Sequence, residues 1–235
     1  MKAFVVDDNI PTITAKSWCL WKKEKGRYNY IYGKRPYKQR EIASLTKIMT
    51  ALVVQEKLSK WGYNANLLTL EVPDYCQNVK GTTANLRPGE LMSVNDLMHG
   101  LMLPSGNDAA LVLAEAFGLL MCLENKRKLK TFDAYNPESF KAFWNKSYGC
   151  LFVNAMNEKA KDMGVTNTIF FNPHGNDAFD VGKNSSTALE VGKICFTLME
   201  NQYLMNLVNT REYGSWQNTN KLLWEGFQGI KTGVN

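Results

Sequence analysis

The sequence predicts a mixed α/β (α+β) fold, a sheet with a helical lobe beside it. Three observations carry this. Two short strand-like segments near the N-terminus flank a polar turn, a long middle region shows helical periodicity, and a strand-like segment comes late. At 235 residues the chain can bury a real core, as one large domain or two small lobes.

The elements follow in order. Ser17–Leu20 and Tyr28–Tyr32 read as strands, with Lys22–Gly26 as the turn of a hairpin. Ser44 opens a helix in which Leu45, Ile48, Met49, Leu52 and Val53 mark one buried face, and Gly62 lies beyond its end. Residues 66–88 read as loop and short strand. A second helix starts near Ser93, with Asp96 as its capping-box partner, and Pro104 ends it. After the turn Ser105-Gly106-Asn107, a third helix starts near Asp108. It is apolar nearly all round, as suits the middle of a protein. Pro137 precedes a long helical stretch that runs to about Gly164. Thr168–Phe171 reads as a strand, Asn172-Pro173-His174-Gly175 as a turn, and Ser186 as the cap of a helix to about Glu200. Gly229–Thr232 reads as a final strand. Residues 1–15 are an N-terminal extension, and 16–235 form the domain.

Composition narrows the function. Hydrophobic residues at 45% and charged residues at 21% exclude a disordered chain. No apolar run approaches the ~20 residues of a membrane span. Met1–Ile10 contains Asp7 and Asp8 and no apolar core of a secretory leader. The protein is therefore intracellular, or its leader is absent from this sequence. The net charge of +6 favours anionic surroundings, but the basic residues are scattered apart from Lys126–Lys130. That run lacks interleaved aromatics and reads as a solvated loop, so nucleic-acid binding has no motif behind it. The five cysteines are odd in number and none sits at metal-ligand spacing. Cys122 and Cys195, in apolar helical stretches, read as buried thiols.

Three short motifs bear the chemistry. In Ser44-Leu45-Thr46-Lys47, the serine needs a base within hydrogen-bond reach, and Lys47 shares its helix face. A free lysine, with a pKa near ~10.4, is protonated at neutral pH. The electropositive first turn, burial and a nearby Lys231 all push it toward the neutral form. Ser-x-x-Lys arises by chance about once in such a chain, so alone it reads as an N-cap serine with an exposed lysine. Ser105 and Asn107 supply a hydroxyl and an amide at a helix junction, where either is also a good cap. Lys231-Thr232-Gly233 offers a cation and a hydroxyl on a strand edge, with a glycine that lets a peptide lie alongside. A plain strand terminus reads the same way. The conjunction and order of the three outweigh each alone, and together they are the set found in penicillin-binding proteins and class A β-lactamases.

Residues 42–50, 103–109, 170–175 with Ser185-Ser186, and 229–233 together resemble the D-alanyl-D-alanine carboxypeptidases. These are the low-molecular-weight penicillin-binding proteins of serine peptidase family S11, and the resemblance covers roughly residues 16–235. It implies a β-lactamase/transpeptidase-like fold, an antiparallel sheet with a helical lobe. Ser44 would be the nucleophile and Lys47 its base. Ser105 and Asn107 would shuttle protons and bind substrate. Lys231, Thr232, Gly233 and Val234 would line the substrate strand, with the N–H groups of Ser44 and Val234 forming the oxyanion hole. His174-Gly175 is implied only as a structural feature. The implied partners are a peptidoglycan stem peptide ending in D-Ala-D-Ala and β-lactams as covalent inhibitors, with no cofactor and no metal. The family is extracytoplasmic. Its members continue past the third motif with two strands and a helix, so the resemblance implies that the C-terminal strands are missing here. The Glu124–Tyr135 loop is longer than the family's link between helices.

Two other readings stay open. A β-lactamase of class A usually has aspartate in the middle of its second motif, where this chain has Gly106, and no deacylating glutamate segment is evident. A non-catalytic homologue that binds wall peptides would bind as well with Ser44→Ala as without it.

Overall fold

A computed structural model describes residues 13–143, 147–176 and 182–233. Strand β1 (Trp18–Glu24) pairs antiparallel with β2 (Arg27–Lys34). Lys25 and Gly26, both at positive φ, make the tight turn that such a hairpin favours. The strands are longer than the sequence pattern suggested, because lysines and a glutamate that break the apolar alternation stay in register near the turn. One face of the hairpin carries Trp21 and Tyr28 against Phe196. Leu20, Ile31 and Tyr32 are exposed.

The core is helical. Ser44 lies in a 3₁₀ turn, Ala43–Leu45, that runs directly into helix α1 (Thr46–Trp61). Gly62, in the left-handed conformation, closes α1. Short strands β4 (Thr69–Glu71) and β5 (Leu91–Ser93) pair antiparallel ahead of α2 (Val94–Met102), whose Ser93–Asp96 capping box forms as expected. Helix α3 (Asn107–Asn125) is the axis of the lobe. Ala109, Ala110, Val112, Leu113, Ala114, Ala116 and Phe117 are all fully buried, which accounts for its apolar circumference.

The single long helix expected after Pro137 is instead two, α4 (Glu138–Lys141) and α5 (Gly149–Asp162). The buried Glu115 carboxylate on α3 accepts from Ser147 Oγ and from the N–H groups of Tyr148 and Gly149. That pins the start of α5 and fixes the break. The run 126–130 is solvent-facing apart from the half-buried Leu129, and Cys122 and Cys195 are half-buried rather than buried.

Thr168–Phe171 forms only one bridge, Ile169 to Ser185, rather than a strand. Strand β3 (Arg40–Glu41) pairs with β6 (Ser185–Ser186), and Thr187 rather than Ser186 caps α6 (Ala188–Met199) by accepting from Glu190 N. Helix α7 (Gln202–Asn209) and the hairpin of β7 (Glu212–Tyr213) and β8 (Trp216–Gln217) had no clear sequence signal, since each is short. The segment Gly229–Gly233 is extended chain without a strand partner among the described residues, so the final strand is not formed there. Among the described residues the strands thus form four separate two-stranded sheets. Among the described residues no helix is long and apolar enough to cross a membrane. Residues 1–12 of the N-terminal extension, and Val234 of the third motif, lie outside the described residues.

Candidate active site

The first motif sits where the 3₁₀ turn meets α1. Lys47 is fully buried, a costly place for an ammonium. Its Nζ has three neighbours: Ser44 Oγ at 3.0 Å, Asn107 Oδ1 at 2.6 Å and His174 O at 2.9 Å. Burial, with Lys231 as a nearby cation, pushes the Lys47 pKa down to about 6, against the opposing pull of Asp108. The amine is therefore neutral at pH 7, with two hydrogens and one lone pair. Asn107 Oδ1 and His174 O can only accept, so they take both hydrogens. The lone pair is left for the hydroxyl hydrogen of Ser44. Such an arrangement is chemically able to pass the Ser44 proton to Lys47.

Each acceptor is held from behind. Asn107 Nδ2 donates to Lys80 O at 2.7 Å, which fixes the amide so that its oxygen faces Lys47. The segment bearing His174 is tied to α1 by Thr50 Oγ1, which donates to Pro173 O. Asn184 joins in, donating to Thr46 Oγ1 and accepting from Phe171 N and Asn172 N. Gly175 passes so close to Ala43 that a Cβ would collide with the Ala43 carbonyl, and its φ of 84° is one that L side chains rarely adopt. His174 is itself buried, its Nδ1 accepting from Asn176 N, and its pKa is pushed down to about 4 by burial and by Lys47.

Neither Ser44, Ser105 nor Asn107 acts as a helix cap. Gly106 holds the cap position of α3, and no side-chain cap bond forms at α1 or α3. Ser105 adopts a positive φ of 66°, a conformation that costs a non-glycine residue ~1–2 kcal/mol. Its Oγ is buried and has no hydrogen-bond partner among the described residues. Gly106 is packed against Gly100 O and Ala84 Cβ too tightly for any larger residue. In the third motif, Lys231 is close enough to affect Lys47, and burial lowers its own pKa to about 8. Its Nζ donates to Thr232 O at 2.9 Å. The Thr232 hydroxyl meets that of Thr219 at 2.5 Å, and Gly233 lies beside Leu45. The fold therefore brings the first two motifs into direct contact and the third alongside them. Val234 is not among the described residues.

The family model of peptidase S11, described as D-alanyl-D-alanine carboxypeptidase, matches residues 4–118 and 149–235. The chain belongs to this family. The stretch 119–148 between the two matched parts includes Glu124–Tyr135, where the sequence suggested a lengthened loop. Among S11 relatives, a D-alanyl-D-alanine carboxypeptidase of Streptomyces sp. (strain K15) is 32% identical, over 95% of this chain and 73% of its own. D-alanyl-D-alanine carboxypeptidase DacF of Bacillus subtilis (strain 168) is 30% identical, over 93% of this chain. This chain spans about half the length of that relative. The crystal structure of the Streptomyces K15 DD-transpeptidase superposes with a TM-score of 0.71 at 29% identity, covering 96% of this chain and 82% of that one. Penicillin-binding protein 6B from Escherichia coli shares the fold, with a TM-score of 0.74 at 24% identity over 97% of this chain and 65% of its own. The expected β-lactamase/transpeptidase-like class is therefore the class observed.

Three site features were beyond sequence reasoning. The His174 carbonyl acts through its backbone, which a residue type does not advertise. Thr219 lies outside every motif. Asp108 read only as the start of a helix. A charged residue directly before the apolar run 109–114 was the one available signal.

Proposed function

We propose that this S11 chain is a serine-type D-Ala-D-Ala carboxypeptidase acting on peptidoglycan stem peptides through an acyl-enzyme on Ser44. The observation that carries the reading is the Lys47 amine, neutral, buried and oriented by two acceptors toward Ser44 Oγ 3.0 Å away. Lys47 takes the serine proton as Oγ attacks the carbonyl carbon of the penultimate D-alanine. The backbone N–H of Ser44, with that of Val234 as the family resemblance implies, holds the oxyanion, and losing one such donor costs ~10²–10³ in rate. The C–N bond then breaks, and the leaving amine of the terminal D-alanine collects a proton through Ser105, whose unpartnered hydroxyl suits a relay. The terminal carboxylate pairs with Lys231 and Thr232. Water attacks the ester with Lys47 again as base, returning free Ser44.

β-Lactams present the same carboxylate and an acylating carbonyl, so they acylate Ser44 in this reading. The test is the intact mass of the full chain after exposure to benzylpenicillin, beside Ser44→Ala, together with D-alanine release from a peptide ending in D-Ala-D-Ala. A one-to-one adduct on the parent alone, with D-alanine released, is the expected result. A folded parent with neither adduct nor release overturns it. Fast turnover of penicillin would make the chain a β-lactamase instead. The K15 structure bears the name transpeptidase, so a run with an added amine acceptor measures how the ester divides between water and amine.

A further inference from the structure

Asp108 is 2% exposed, and no cation is in ion-pair contact with it among the described residues. Four donors surround its carboxylate. Oδ1 accepts from Ala84 N and Ala109 N, both at 2.9 Å, while Oδ2 accepts from Thr83 Oγ1 at 2.5 Å and Leu86 N at 3.1 Å. Three of the four come from one short loop, residues 83–86. The residues just before it grip the second motif. Thr82 Oγ1 donates to Ser105 O at 2.6 Å, Asn107 N donates to Thr82 O at 2.9 Å, and Asn107 Nδ2 donates to Lys80 O at 2.7 Å. One chain of bonds thus runs from Asp108 through the loop to Asn107, and from Asn107 Oδ1 to Lys47.

We infer that Asp108 is a positioning residue: its carboxylate clamps residues 83–86, and the clamped loop sets the Asn107 amide that orients Lys47. This rests on the proposed roles of Ser44 and Lys47. A carboxylate is the only small side chain that accepts at four points, so it suits a position where three loop donors and Ala109 N converge. Asparagine has the same shape but can accept only at one oxygen. If that oxygen keeps Ala84 and Ala109, its NH₂ meets the donor Leu86 N, and that bond is lost.

The experiment compares the full chain with Asp108→Asn and with Glu115→Gln, which alters the other buried carboxylate of α3, bonded to residues 147–149 and not to the loop. Backbone hydrogen exchange is read at Ala84, Leu86 and Asn107, and acylation by benzylpenicillin is timed by intact mass from pH 5 to 9. Three charged or titratable groups face Lys47: Asp108 from α3, Lys231 from the C-terminal segment and His174 from the 172–176 segment. Asp108→Asn is expected to speed exchange at the three amides and to slow acylation by up to ~10²-fold. It should also move the low-pH limb of the rate to lower pH, since a negative charge that favours the protonated amine is gone. Glu115→Gln is expected to change neither exchange at those amides nor the limb. Unchanged exchange in Asp108→Asn, or acylation at the parent's rate, overturns the inference. If Asp108→Asn fails to fold, Thr83→Val removes the bond to Asp108 and the one accepted from Asn85 N with shape and the Asp108 carboxylate kept, and a smaller rise in exchange with a smaller slowing of acylation is required. If the folded parent takes no adduct, the proposed function falls, and the exchange data alone decide the clamp.

Discussion

Asn107 faces two ways at once: its Nδ2 donates to Lys80 O and its Oδ1 accepts from Lys47 Nζ at 2.6 Å. The first bond decides the second, because an amide that must donate on one side presents its oxygen on the other. Asn107→Ala removes the acceptor and leaves the buried amine free to turn from Ser44. Penicillin acylation is expected to fall by ~10²-fold, with the fold retained. Asn107→Asp is the sharper variant. A carboxylate 2.6 Å from the amine favours the ammonium, so acylation at pH 7 should collapse and recover as the pH rises. Equal rates for Asn107→Asp and the parent across pH 6–9 would remove Asn107 from the site.

The two lysines predict a bell-shaped pH profile. Lys47 must be neutral to accept a proton, so the acylation rate should rise with pH through about 6, where the amine loses its charge. Lys231 must be charged to hold a carboxylate, so the rate should fall above about 8. Lys231 also acts on the Lys47 limb. Lys231→Ala removes a repelling cation, raises the Lys47 pKa and moves the low-pH limb upward. Lys231→Arg keeps the charge beyond pH 9 and should extend the plateau on the alkaline side. A profile flat from pH 5 to 9 would show that neither lysine titrates in the rate-determining step.

Gly175 is predicted to be irreplaceable even by alanine. A methyl group there meets the Ala43 carbonyl, one residue before Ser44, at a backbone conformation alanine adopts poorly. Gly175→Ala should lose more than ~2 kcal/mol of stability, measured by urea unfolding. Because the displaced backbone belongs to the turn carrying Ser44, acylation of the remaining folded protein should also slow. Full stability with full acylation would mean the close approach has no consequence.

How far the sequence could be read follows from what each feature depends on. Ser93 and Asp96 announced a helix start because both halves of a capping box lie within four residues. The all-apolar run 109–114 announced a central helix because burial on every side leaves no polar face. The Ser44–Lys47 contact was legible as local spacing, since side chains three residues apart on one turn meet. What failed depended on distant partners. The break between α4 and α5 is set by Glu115, more than thirty residues away. Gly229–Thr232 has a strand's composition, but a strand needs a neighbour to pair with, and among the described residues none is there. Cap positions shifted by a residue, as at Ser186 and Thr187, because adjacent hydroxyls are equally good caps until β6 engages one of them.

The hairpin of β7 and β8 offers a last test, because it grips the same loop from the opposite side. Trp216 Nε1 donates to Ala84 O at 2.8 Å, while Ala84 N donates to Asp108 Oδ1. One residue is thus held through both of its backbone groups, its C=O by an indole and its N–H by a carboxylate. Trp216→Phe keeps most of the ring and deletes the donor. It should cost ~1 kcal/mol in urea unfolding, the usual net worth of one such bond. Acylation should change less than about threefold, because Asp108 still holds the loop by its remaining bonds. Combining Trp216→Phe with Asp108→Asn releases both ends together, and the acylation loss should exceed the product of the two single losses. A multiplicative double variant would mean that the two residues act on the loop independently, and that Ala84 is not the point where they meet.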